Sequence, residues 1–126
     1  MLHNTNEKLK RFLLILLLIS VLMISCSCSL LTKPLDNRTG FSKYLTQAET
    51  NIRKEDWNQA KINLNDSKQA WKKIKPLLQI DIDHDYIKEI ENDFIRLDGY
   101  LDTKDKSNSL VSILLLKDTW ENISDL

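Results

Sequence analysis

The sequence predicts an all-α protein: an N-terminal membrane anchor or lipoprotein signal, then a four-helix antiparallel bundle of two similar αα-hairpins. Three observations carry that expectation. Two Gly and two Pro in 126 residues are too few for a turn-rich β fold. Apolar residues recur with the helical period through the body of the chain. A shift of 49 residues lays the second half of that body on the first. With 42% hydrophobic and 29% charged residues the composition is that of a globular protein, and the length allows one domain. The formal net charge is zero, which implies no general attraction to nucleic acid.

The N-terminus sets the expected compartment. Lys8, Lys10 and Arg11 precede "FLLILLLISVLMI", residues 12–24, in which Ser20 is the only polar side chain. A positive start and a short apolar run are the parts of a secretory signal. "MISC" at 23–26 then resembles a lipobox, which makes Cys26 a lipidation candidate. Read on through "SCSCSLL" to Leu31, the run reaches twenty residues, about the length of a membrane-spanning helix. Both readings place residues 33–126 on the extracytoplasmic side of the cell membrane. The expected divisions are an anchor over 1–32, a linker over 33–40 and a four-helix domain over 41–126.

The helices follow in order. Phe41, Leu45, Ala48 and Ile52 form the first apolar face. "KED" breaks it, and Asp56 can cap the next helix with Gln59 three residues on, as in a capping box. Trp57, Ala60, Leu64, Trp71 and Ile74 form the second stripe, which Pro76 is expected to end near Lys75. Ile87, Ile90, Phe94, Leu97 and Leu101 form the third. The fourth starts near Ser107 and runs through Leu110, Leu114, Trp120 and Ile123. At the 49-residue shift Phe41, Leu45, Ala48 and Ile52 fall on Ile90, Phe94, Leu97 and Leu101, Asp56 on Asp105, Lys68 on Lys117 and Trp71 on Trp120. The pattern resembles the units of tetratricopeptide-like repeats, with a longer period. Charge divides by half: ten basic and five acidic residues from Lys33 to Lys75 (net +5), five basic and twelve acidic from Asp81 to Leu126 (net −7). Mutual attraction of the packed hairpins is the expected use.

One stretch looks like site chemistry. "DIDHD" puts Asp81, Asp83 and Asp85 at alternate positions, as the start of a calcium loop would. Counted from Asp81, however, Tyr86 stands where the loop needs Gly and Asn92 where it needs a bidentate Glu. A helix start fits better, with Asp83 as N-cap, His84 at N1 and Asp85 at N2. Ile82 and Ile87 then sit as a hydrophobic staple. No G-x-S-x-G, glycine-rich phosphate loop or H-E-x-x-H is present, so the sequence points to no enzyme and no cofactor.

With "KEDWNQA", "KQAWKKIKP", "DHDYIKEIENDFIRLDGYLDTKDKSNSL" and "LKDTWENI" in view, the chain resembles a family. It looks like the small membrane-anchored proteins of spore-forming Gram-positive bacteria catalogued as domain of unknown function 4363. The most specific parts are the turns at Glu55–Trp57 and Asp105–Ser107 and the opening at Asp83–His84. The Cys-Ser-Cys after the apolar run departs from the usual plain anchor and leaves lipidation open. The resemblance implies a membrane segment and a small helical domain with no assigned activity. Members are often encoded beside multi-pass membrane proteins, which suits an accessory subunit. The expected function is therefore a membrane-tethered, non-catalytic interaction protein whose partner is a multi-pass membrane protein. The alternative is a divalent-metal or small-ligand sensor using residues 81–85.

Overall fold

The computed structural model describes residues 2–24, 29–80 and 82–125. It is all-helical, with no strand among those residues: α1 (Leu2–Ile24), α2 (Ser29–Thr39), α3 (Phe41–Arg53), α4 (Trp57–Leu78), α5 (His84–Asp102) and α6 (Lys106–Asp125). In α1 every side chain from Asn6 to Val21 is exposed, including the apolar run from Phe12 to Val21. Among the described residues no helix is long and apolar enough to cross a membrane. The continuation to Leu31 passes through residues 25–28, which lie outside the described residues.

The stretch 33–40, expected as a linker, is mostly helical: α2 packs against α3, α4 and α6 and buries Thr32. Pro34 lies inside α2, and Gly40 is the N-cap of α3. Gly40 takes φ 72°, and its N–H donates to the Asp36 carbonyl at 2.7 Å. A Cβ there would stand 3.2 Å from the Tyr44 ring, so both the backbone and the space call for glycine. Asp36 reaches across this corner, its Oδ1 accepting from the Ser42 N–H at 2.7 Å. It satisfies a donor at the start of α3 that Gly40, with no side chain, cannot.

The turns α3–α4 and α5–α6 are one structure written twice. The N–H of Glu55 donates to Ile52 and that of Asp56 to Asn51; 49 residues on, Lys104 donates to Leu101 and Asp105 to Tyr100. These are the paired bonds of a Schellman ending, which puts the residue after the cap in the left-handed region. Glu55 and Lys104 hold it, at φ 60° and 55°. The next residue at once caps the following helix: Asp56 accepts from the Gln59 N–H at 3.1 Å, and Asp105 from Asn108 at 3.0 Å. The capping box foreseen at Asp56 is thus only half made, because the Asp56 N–H is committed to Asn51.

The core gathers where the four stripes face inward. The eight residues matched by the 49-residue shift on α3 and α5 are all buried. Phe41 is the centre. Its ring lies 4.8 Å from Trp120, 5.8 Å from Trp71 and 6.2 Å from Phe94, so one side chain on α3 meets a ring from each of α4, α5 and α6. Two expectations differ. α4 runs through Pro76 to Leu78, because proline forfeits one hydrogen bond in the last turns while burial of Leu78 rewards the continuation. On α6 the core takes Ile113 and Leu116 and leaves Leu114 exposed. Leu114 points about 100° round the helix from Ile113, so it cannot join the face that Ile113, Leu116 and Trp120 share.

Candidate functional site

The acidic stretch begins α5. Asp83 is the N-cap at φ −55° and ψ 133°, and its Oδ1 accepts from the Asp85 N–H at 3.3 Å. Asp85 stands exposed in the first helical turn, His84 is exposed beside it, and Asp81 lies outside the described residues. Ile82 packs on the core and Ile87 is buried, as the staple requires. Among the described residues no three His, Cys, Asp or Glu side chains are grouped to hold a metal. Cys26, the lipidation candidate, also lies outside the described residues.

The charge asymmetry has a structural use. On α4, Lys61, Lys68 and Lys75 stand seven residues apart and meet Asp102, Asp98 and Glu91 of α5 in reverse order. Reverse order means antiparallel helices. The opposite seam, α6 against α3, carries Lys117 on Glu49 at 2.8 Å. Lys117 is the 49-residue counterpart of Lys68, and Asp98 that of Glu49, so the two seams repeat one ion pair, as a pseudo-two-fold axis would require. A further pair, Lys106 with Glu55 at 2.9 Å, joins the two turns. Glu49 is the best held of these acids. The Lys117 ammonium, and then the Arg53 guanidinium, keep its carboxyl below the usual range. Asp105 is lowered by the Asn108 backbone and side chain that it caps.

Asp93 is the exception. It is 2% exposed in α5, and burial pushes its carboxyl up against the opposing pull of Arg96, whose Nη1 lies 3.2 Å from Oδ1. A buried carboxylate with one exposed partner opposes folding more than it supports it.

Several grooves open on the surface of the described residues. One of about 260 Å³ lies between α2 and α4, and one of about 350 Å³ is lined by Lys33, Asp36, Ser42, Trp120, Glu121 and Ser124. A third, about 320 Å³ between α3 and α4, is lined only by Thr46, Gln47, Thr50, Asn51, Gln59 and Asn63. Its floor is Asn63, 6% exposed, whose Oδ1 accepts from Asn51 Nδ2 at 2.7 Å and whose Nδ2 donates to Gln47 Oε1 at 3.2 Å. Sequence reading missed this amide cluster. The available signal was Gln47 and Asn51, a turn apart, beside an Asn on the largely apolar stripe of the next helix.

Among the described residues the chain is all-helical, and its two helix pairs share one turn geometry and a matched ion pair on each seam. The chain belongs to the family described as domain of unknown function (DUF4363), which it matches over residues 35–126. No curated protein and no solved structure matches it.

Proposed function

We propose that the chain is a membrane-tethered, non-catalytic interaction protein, an accessory to a multi-pass membrane protein. Its domain is a four-helix antiparallel bundle of duplicated αα-hairpins on the extracytoplasmic side. One observation carries the reading: an apolar run exposed on all sides, Phe12 to Val21, directly after Lys8, Lys10 and Arg11. A helix apolar all round has no stable place in water and takes an apolar environment. Residues 12–24 alone make a helix of about 20 Å against a hydrocarbon core of about 30 Å, so a full span needs the continuation to Leu31.

Fractionation and intact mass test the tether. The full chain is expected in the membrane fraction, resisting salt and released by detergent. If the anchor spans, the N-terminus is intact and Cys26→Ala changes neither mass nor fractionation; if Cys26 is lipidated, the variant accumulates as a longer precursor. Recovery of the whole chain in the soluble fraction would refute the tether. Purification in mild detergent is expected to bring a stoichiometric membrane protein with it, and monomer alone would count against the accessory role.

A further inference from the structure

We infer that the groove between α3 and α4 binds an extended, uncharged peptide segment through its backbone. The inference deepens the interaction role proposed above by naming the site and the kind of segment it takes. A side-chain carboxamide carries the same acceptor and N–H donor as a peptide unit, so it can pair with one whatever the neighbouring side chains are. In this groove Asn63 spends one donor on Gln47 and its acceptor on Asn51, and so fixes both outer amides. Among the described residues, Gln47 Nε2 and Asn51 Oδ1 have no protein partner. A donor and an acceptor therefore face the groove, held one helical turn apart. The Cβ atoms of such a pair stand about 6 Å apart, close to the repeat of about 6.8 Å between same-side units of an extended chain.

The ligand class follows from what else lines the groove. No charged side chain does, so a charged segment would lose water without compensation. No aromatic ring does, so nothing there stacks on a base or a sugar face. Thr46 and Thr50 add hydroxyls to the rim; Thr50 donates to the Thr46 carbonyl at 2.9 Å and keeps its lone pairs for a ligand N–H. The second helix pair supplies an internal comparison. The counterparts of Gln47, Asn51 and Asn63 are Arg96, Tyr100 and Ser112, and Arg96 is tied to Asp93. The same scaffold thus exists without the amides. Asn63 is no requirement of the fold, since burying an amide at a helix seam stabilises it less than an apolar side chain would.

Titration of the full-length, isotopically labelled chain in detergent micelles tests this. The probe is the capped, uncharged peptide acetyl-Thr-Gly-Ser-Gly-Thr-amide. Saturable shifts are expected in the side-chain NH2 signals of Gln47, Asn51 and Asn63. N-methylating the central glycine removes one backbone donor and is expected to weaken binding about tenfold, the worth of one hydrogen bond. Asn63→Ser, which copies the second pair, and the exposed change Gln47→Leu are each expected to abolish the shifts with the rest of the spectrum retained. The inference is overturned if the peptide causes no saturable shift there, if N-methylation makes no difference, or if Gln47→Leu binds as well as the parent. It is equally overturned if an N-acetylglucosamine tetramer displaces the peptide at lower concentration. The titration needs neither membrane nor partner, so it can fail while the tether and companion stand, and the reverse.

Discussion

Single residues here carry costs and gains that can be read separately. Lys104 sits at φ 55°, where a Cβ costs about 1 kcal/mol that glycine does not pay. Lys104→Gly is therefore expected to raise stability by up to that amount in denaturant unfolding, while Lys104→Ala, which keeps the Cβ, should do nothing. At Asp83 the cap predicts a graded series. Asp83→Ala should cost about 1 kcal/mol, and Asp83→Asn or Asp83→Ser almost nothing, because each keeps an oxygen for the Asp85 N–H. That ordering should hold with and without millimolar calcium. A rise in melting temperature on adding calcium that Asp85→Asn abolishes would mean the carboxylates bind the ion.

At the scale of helices, two acids on different helices have opposite pH signatures. Glu49 is lowered by Lys117 and Arg53, so its contribution is full above its ordinary 4.5 and is lost as pH falls through the lower folded value. Glu49→Gln should cost about 1 kcal/mol at neutral pH, and the difference from wild type should vanish in acid. Asp93 is raised by burial, so its ionised form weighs against the fold at neutral pH and is relieved as pH falls through the raised folded value. Asp93→Asn should therefore stabilise at neutral pH, on the order of 1 kcal/mol, with the gain fading in acid. Melting curves of both variants across the acidic range check the two signs together. A parallel response from both would mean that the helices, not the named carboxyls, set the pH dependence.

For the molecule as a whole, Phe41 joins the two pairs, because its ring meets one from each of α4, α5 and α6. Phe41→Ala should cost about 3–5 kcal/mol, a large share of the 5–15 kcal/mol typical of a domain. Unfolding should stay a single transition, since the ring belongs to both pairs at once. Loss of one helix pair before the other on heating would contradict a shared core.

The class of the fold, the four apolar stripes, the turn caps at Asp56 and Asp83 and the 49-residue repeat were legible in the sequence, because each rests on local chemistry with a fixed period. The repeat also announced the turns, since identical offsets of acid and aliphatic residues ask for the same hydrogen bonds. What the period could not decide was choice among neighbours. In "LVSILLL" several leucines compete, and only the position of α3 and α5 makes Ile113 and Leu116 core and Leu114 surface. The helix at Ser29–Thr39 was hidden by Pro34 within it and Gly40 after it, and the corner that follows depends on Gly40 against Tyr44 and Asp36 on Ser42. The pairings of Lys117 with Glu49 and of Asn63 with Gln47 and Asn51 join residues 68, 16 and 12 positions apart. No local pattern encodes such contacts; they exist only once packing has set one helix face against another.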